Sequence, residues 1–169
     1  MKISKVKTTA LLVPYEKPYY WAQGIIYGAG VILVEIHTDN GLIGYGESIA
    51  TPSADAIQSY IKIAGDICIG RSPFENSRLM ADAYHALFQA LGTCSSPRFS
   101  GQVFAGLEMA LWDLMGKASN RPVHELMGGA VRDNIEYFGF AQGDTPEQIA
   151  LNAYQLAKSG CEVIYVKVG

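Results

Sequence analysis

The sequence lacks a large excess of charge of one sign, a long apolar run and a paired cysteine pattern. Its 169 residues include 13 lysines and arginines and 16 aspartates and glutamates, for a net charge of −3. Nucleic-acid-binding proteins usually carry a basic face, so this balance argues against such a partner. No apolar run approaches the roughly 20 residues of a membrane-spanning helix, and the first residues alternate in polarity, unlike a secretory signal. We therefore expect neither a nucleic-acid nor a membrane partner.

Cysteine and histidine are also sparse. Cys68, Cys94 and Cys161 are far apart and odd in number, whereas disulfide frameworks and zinc sites need closer, paired spacings. We interpret them as reduced, partly buried thiols of a cytoplasmic protein. No histidine has a partner three or four residues away, and no nucleophile elbow or phosphate-binding loop is present.

The first fifty residues predict an antiparallel meander. Residues 2–14, 31–38 and 42–47 are rich in β-branched and other apolar residues, as strands are. Asp-Asn-Gly at 39–41 is a strong turn signal, because Asn and Gly tolerate positive φ. Residues 15–30 are expected to form a loop between the first two strands.

Three helices are predicted next, over 53–68 with Ser53 as cap, 72–91 with proline in the first turn, and 102–118 with one apolar stripe. The pattern changes after residue 129. Residues 135–140 predict a strand, 145–159 a helix and 161–168 a nearly all-apolar strand, which together make one βαβ unit with parallel pairing. A (β/α)8 barrel needs roughly 250 residues. A single βαβ unit is far shorter and cannot cover both faces of its own strands, so we expect these strands to leave apolar faces exposed.

Lys167 is the strongest candidate for a catalytic group. It lies near the end of a predicted parallel strand, where catalytic groups gather in α/β sheets and barrels. Strand alternation puts Tyr165 on the same side, which faces inward in a barrel. A desolvated lysine there has a lowered pKa and can serve as a base. The alternative is a plain solvent-exposed lysine at the end of a strand.

Other candidates have weaker support. Tyr20 and Trp21 belong to an aromatic group in the predicted loop of residues 15–30. Such a loop either packs over the domain edge or forms a lid that covers an apolar or ring-bearing substrate. Glu108 and Asp113 are five residues apart and do not share a helix face, so we expect structural roles such as hydrogen bonds to a loop backbone.

Three motifs follow one another along the chain: G-L-I-G-Y-G-E at 41–47, a segment from A-L-W-D-L-M-G-K to M-G-G within 105–129, and Y-V-K-V-G at 165–169. Their order and spacing resemble the mandelate racemase/muconate lactonizing enzyme branch of the enolase superfamily. The resemblance implies an α+β N-terminal capping domain over 1–130, a three-stranded antiparallel meander plus helices. The first βαβ unit of a truncated (β/α)8 barrel would follow over 131–169.

The resemblance also implies an activity, removal of the proton α to the carboxylate of a small substrate, as in racemases and acid-sugar dehydratases. Cycloisomerase and amino-acid epimerase types stay open, as does a non-catalytic structural or interaction module. Mg²⁺ stabilises the enediolate in such enzymes, and its three acidic ligands are expected beyond Gly169. The 169-residue fragment is therefore expected to be inactive by itself, and the full-length form to be a homo-oligomer.

Site residues follow from the motif positions. Lys167 aligns with the second lysine of the family's K-x-K motif, the base, whereas Tyr165 replaces the first lysine. Because that lysine normally helps to hold the carboxylate, either a phenol hydroxyl or another group is expected to take over this role. Tyr20, Trp21 and Thr51 fall in the capping-domain segments, about 15–30 and 49–53, that shape specificity in the family.

Overall fold

A computed structural model describes residues 1–21, 24–89 and 97–166, with backbone alone at Trp21, 88–89 and 97–99. The chain divides into two compact units, one formed by Met1–Leu12 and Gly30–Gly129 and the other by Val13–Ala29 and Ala130–Gly169. The domain boundary at residues 130 and 131 stays a prediction.

The meander is a three-stranded sheet with the order β1-β2-β3, formed by Ile3–Trp21, Gly24–Thr38 and Ile43–Ile49. Strands β2 and β3 are antiparallel, with Glu35 opposite Tyr45, so the predicted three-stranded sheet is confirmed. The predicted loop over 15–30 is wrong, because β1 continues to Trp21 and β2 begins at Gly24. Tyrosine and isoleucine favour strands, and the one proline of this segment, Pro18, lies in β1, an edge strand, where proline is tolerated.

Helices follow the sheet in the first unit. Ser53 caps α1 (Ala54–Cys68), with its Oγ accepting from the N–H of Ala56. The predicted second helix is interrupted. Its residues form three successive segments, a 3₁₀ turn (Pro73–Glu75), α2 (Asn76–Tyr84) and a π-helical segment (His85–Gln89). Helix α3 (Pro97–Ser119) begins five residues earlier than predicted, and α4 (Val123–Leu126) is a single turn. No helix in the described ranges combines the length and apolarity needed to span a bilayer.

The core of the first unit lies between the sheet and the helices. Ile32, Val34 and Ile36 alternate on one face of β2 and are fully buried. The predicted apolar stripe of α3 is confirmed, since the residues at its centre are also fully buried: Leu107, Leu111 and Leu114.

The glycines of β3 let this strand lie directly against α3. A Cβ at Gly44 would meet the carbonyl oxygen of Ala110, and a Cβ at Gly46 would meet that of Gly106. The Oγ of buried Ser48 donates to the carbonyl of Val103 (3.1 Å) and accepts from the N–H of Gly106 (2.9 Å). The glycine motif therefore allows β3 to pack closely against α3. This agrees with the prediction that the motif is not a phosphate-binding loop.

Asp113 has the structural role that was expected of it. Its carboxylate accepts from the N–H of Tyr45 at 2.8 Å and from Lys117 Nζ at 2.6 Å. The same Lys117 Nζ donates to the carbonyl of Ile43 at 2.7 Å. Both side chains of this pair thus fasten the start of β3 to helix α3.

The second unit contains the predicted βαβ arrangement. Strands β4 (Gly139–Ala141) and β5 (Ile164–Val166) are parallel, and α5 (Pro146–Lys158) connects them. Thr145 caps α5 as predicted, and Gly160, with φ of +102°, follows its end. The predicted strand over 135–140 is wrong in extent, since β4 begins only at Gly139. Strand β5 is likewise shorter at its start than the predicted 161–168, whose last two residues lie outside the described ranges.

Candidate active site

The two faces of the β4–β5 pair differ in what covers them. A Cβ at Gly139 would lie 3.0 Å from the side chain of Leu156 in α5, and Ala141 is only 6% exposed. Alternation along the strand places Phe138 and Phe140 on the opposite face. Tyr165 stands opposite Phe140 in the parallel register, so it shares that face. In a (β/α)8 barrel the face turned away from the helices points to the interior.

Four rings meet on this face and form what we call the aromatic cluster: Tyr19, Phe138, Phe140 and Tyr165. The ring centroid of Phe140 lies 5.0 Å from that of Tyr165 and 5.1 Å from that of Phe138, both in edge-to-face geometry. Tyr19 reaches Phe140 with its centroid at 6.4 Å and an interplanar angle of 84°. Such arrangements match the preferred packing of aromatic quadrupoles.

Sequence reasoning missed Phe138 and Phe140. The alternation rule that singled out Tyr165 and Lys167 on one strand applies equally to the other strand of the unit. Applied there, it places the two phenylalanines on one face, and parallel pairing then puts that face beside Tyr165. The signal was present in the sequence but needed the strand register.

Two of the predicted site residues lie on or beside the aromatic cluster. Tyr165 is 47% exposed within β5. Tyr20 lies near the end of β1 and lines a cavity of about 560 Å³ together with Lys17, Phe140 and Gln142. Phe140 thus links the two tyrosines, through ring contact with Tyr165 and through the shared cavity with Tyr20.

The other predicted site residues are placed less completely. Thr51 belongs to the first unit, where it is exposed and precedes the cis bond to Pro52 between β3 and α1. Trp21 ends β1, and its side chain lies outside the described residues. Lys167 also lies outside them, so its role stays a prediction.

The wall of the Tyr20 cavity is held by hydrogen bonds from the loop after β4. The N–H of Gln142 donates to Asn152 Oδ1 at 2.9 Å, and the N–H of Asp144 donates to Gln148 Oε1 at 2.8 Å. Both bonds tie the loop to the first turns of α5. The cavity is lined by the ammonium of Lys17, the phenol of Tyr20, the carboxamide of Gln142 and the ring of Phe140. This combination suits a small polar molecule that also has apolar parts.

The described part of the chain offers neither a metal centre nor a reactive thiol beside this cavity. None of its residues form a group of three histidine, cysteine, aspartate or glutamate side chains able to hold a metal ion. Burial raises the pKa of the Cys68 thiol to about 11, so it is protonated and inert at neutral pH. Cys68 and Cys161 are both free thiols, as expected, and Cys94 lies outside the described ranges.

Comparison with known proteins identifies the sequence family. The profile described as "Mandelate racemase / muconate lactonizing enzyme, N-terminal domain" matches residues 3–128. The D-galactonate dehydratase of Klebsiella pneumoniae (strain 342) is 33% identical over 149 residues, which cover 88% of this chain and 34% of that protein. The D-galactonate dehydratase of Pectobacterium atrosepticum is 29% identical over 160 residues, or 95% of this chain and 36% of that protein.

Solved structures agree in fold. A dipeptide epimerase from Enterococcus faecalis V583, complexed with Mg and the dipeptide L-Leu-L-Tyr, superposes with a TM-score of 0.84 at 26% identity, over 100% of this chain and 46% of its own. The L-Ala-D/L-Glu epimerase from Bacillus subtilis gives a TM-score of 0.83 at 28% identity, over 99% and 45%. The chain thus spans about a third of the length of the curated relatives and under half that of the solved structures. With residues 3–128 matched by its N-terminal domain profile, the chain belongs to the mandelate racemase/muconate lactonizing enzyme family.

Proposed function

We propose that this chain is the N-terminal part of a Mg²⁺-dependent enzyme that removes the proton α to a carboxylate, with Lys167 as the base. The observation that carries the proposal is the face of β4–β5 turned away from α5, on which Tyr165 lies opposite Phe140. Strand alternation from Tyr165 predicts that Lys167 points to the same face. That face corresponds to a barrel interior, where a base can meet a substrate.

The chemistry of the cluster suits this role. An α-proton of a carboxylate is a very weak acid, so its removal needs a neutral amine rather than an ammonium. Desolvation by neighbouring rings lowers a lysine pKa and makes the neutral form available near pH 7. Phe138, Phe140 and Tyr165 place aromatic carbon on the face to which alternation assigns Lys167.

Substrate binding is assigned to groups around this base. The hydroxyl of Tyr165 donates a hydrogen bond to the carboxylate, in place of the lysine usual in the family. Tyr20 and Trp21, at the end of β1, contact the rest of the substrate, and the assignment of Thr51 to substrate binding stays a prediction from the sequence. The contact of Tyr19 with Phe140 supports this role for the end of β1, since it brings the strand to the aromatic cluster.

Mg²⁺ supplies electrostatic stabilisation of the enediolate when it is bound. Because the described residues hold no group of three metal-binding side chains, we assign its ligands to the part of the relatives' length that this chain does not cover. The dipeptide epimerases from Enterococcus faecalis and Cytophaga hutchinsonii were solved in complex with Mg, which supports a Mg²⁺-dependent parent enzyme. The chain alone is therefore proposed to be inactive.

Different relatives support two classes of substrate. The D-galactonate dehydratases, at 33% and 29% identity, favour dehydration of a sugar acid. The dipeptide epimerases, at 26% and 25% identity, favour epimerisation of an amino-acid derivative as the second candidate. Sugar acids are preferred, because the identity is higher and because the phenol, ammonium and amide groups near Tyr20 can all bond to hydroxyl groups.

The protein of the full reading frame and the 169-residue chain should be assayed side by side on hexonates, pentonates and dipeptides. We expect the former to dehydrate a sugar acid with Mg²⁺ present, to lose activity with a chelator and to regain it with added Mg²⁺. The 169-residue chain should give no turnover. Turnover by that chain, or turnover that a chelator leaves unchanged, would contradict the proposal.

Tyr165→Phe tests the hydroxyl while it keeps the ring contacts. A hydrogen bond to a charged group contributes about 1.5–3 kcal/mol, so KM should rise roughly 10- to 100-fold with a similar kcat. Steady-state kinetics of the full-length enzyme measures both quantities. Tyr154→Phe, which alters a 65% exposed tyrosine on α5, is the matched control and should leave KM unchanged. An unchanged KM in Tyr165→Phe would remove this tyrosine from the binding site.

A further inference from the structure

The part of the β1–β2 hairpin that belongs to the second unit carries an ammonium group beside the aromatic cluster. Lys17 and Tyr19 are two residues apart in β1, so strand alternation puts them on the same side of the ribbon. The ring centroid of Tyr19 lies 6.4 Å from that of Phe140, and Lys17 lines the cavity of about 560 Å³ to which Phe140 also contributes. Lys17 is therefore the charged group that the described residues of the hairpin contribute to this cavity.

The charge of Lys17 has no counter-charge in the cavity. The described residues that line it include no aspartate or glutamate. No ion pair between described residues includes Lys17, whereas Lys7, Lys62 and Lys117 each hold a carboxylate oxygen at 2.6–2.7 Å. Glu16 is the nearest acidic residue in the sequence, and alternation directs its side chain to the opposite side of β1. The ammonium of Lys17 is thus available to an anionic group of a ligand.

Asn152 adds a hydrogen-bond donor to the same cavity. Its Oδ1 accepts from the N–H of Gln142 at 2.9 Å, so its Nδ2 is the end that can donate to a ligand. The phenol of Tyr20, which also lines the cavity, is a second neutral donor. A positive charge surrounded by donors, with no acidic side chain among the described lining residues, suits a carboxylate better than a neutral hydroxyl, because charge-assisted hydrogen bonds are about twice as strong as neutral ones.

We propose that Lys17 binds a second carboxylate, at the end of the substrate away from the reacting carbon, and thereby selects a sugar diacid. This inference rests on the proposed function, in which Tyr165 binds the first carboxylate. The ring of Phe140 lies 5.0 Å from that of Tyr165 and also lines the cavity that contains Lys17. A substrate that lies across Phe140 therefore has one end at each group. A monoacid with a hydroxymethyl end leaves the ammonium without a counter-charge.

Matched hexarates and hexonates test this inference, because each pair differs only at the sixth carbon, which is a carboxylate or a hydroxymethyl group. With the full-length enzyme and Mg²⁺, kcat/KM for the best hexarate should exceed that for its hexonate by about 10- to 100-fold. Lys17→Gln keeps a donor but removes the charge, so it should raise KM for the hexarate by about the same factor and leave the hexonate unaffected. Lys17→Arg, which keeps the charge, should retain the preference. Lys158→Gln, at the exposed end of α5, is the matched control and should change neither substrate.

Isothermal titration calorimetry of the same two ligands separates this inference from the proposed function. Tighter binding of the hexarate that Lys17→Gln abolishes would support the second carboxylate site even if no α-proton were removed, and only the proposed reaction would then fail. Equal affinity and equal kcat/KM for the two acids in the wild-type enzyme would overturn the inference while leaving the proposed reaction intact. Equal losses for both acids in Lys17→Gln would also overturn it, because Lys17 would then be a general contact of the substrate.

Discussion

Gly46→Ala is expected to destabilise the first compact unit by about 3 kcal/mol or more. A Cβ at this position would overlap the carbonyl oxygen of Gly106 and lie 2.8 Å from the backbone N of Ala110. Both obstacles are helix backbone, so β3 and α3 would have to separate. Overpacking costs about 1–3 kcal/mol where side chains can adjust, and more is expected where only backbone can move. This is a large part of the roughly 5–15 kcal/mol that stabilises a domain.

Urea denaturation followed by circular dichroism measures the effect, and Gly101→Ala is the matched control. Gly101 lies in the same helix, is exposed, and would place its Cβ where no atom lies within 4 Å. Alanine is a better helix former than glycine by about 0.5–1 kcal/mol, so this variant should be more stable than wild type. If both variants unfold at the same denaturant concentration, the close approach of β3 and α3 is not what the glycines provide.

Lys167→Ala in the full-length enzyme is expected to lower kcat by about 10²–10⁴-fold, the range that a general base contributes. Lys167→Arg should be equally impaired, because a guanidinium keeps its proton under all conditions used for proteins. Steady-state kinetics with Mg²⁺ and a sugar acid measures both. Lys158→Ala, at the end of α5, removes a lysine from the helix side of the same unit and should retain full activity. Retained activity in Lys167→Ala would identify this residue as an exposed lysine at the end of a strand.

The strands and helices that a local signal marks could be predicted from the sequence. Ser53 and Thr145 accept the backbone hydrogen bonds that define a helix start, and the turn at residues 39–41 separates β2 from β3. The segment of residues 15–30 was predicted to be a loop, because proline and glycine within it resemble loop signals. Strand pairing overrides these signals, since an edge strand tolerates the prolines of β1.

The candidate site was predictable only in part. Tyr165 and Lys167 could be found because alternation in a single strand and the resemblance to the K-x-K motif both point to them. Phe138 and Phe140 required the register with β5, and Lys17 required the folded hairpin. Local patterns place a side chain on one face of its own strand, but which residues it meets on other elements depends on the tertiary structure. The length of β4 was overestimated for a related reason, since ladder pairing rather than apolar composition decides where a strand begins.

The most direct test of the central claim is the fate of an α-deuterium on the substrate. The full-length enzyme is incubated with Mg²⁺ and a sugar acid labelled with deuterium at the α-carbon, and label released into water is measured by NMR. Racemisation, epimerisation and dehydration by α-proton abstraction all break this bond. We predict that turnover releases the deuterium, that a primary isotope effect accompanies it, and that Lys167→Ala abolishes release. Turnover that retains the deuterium at the α-carbon would contradict the account.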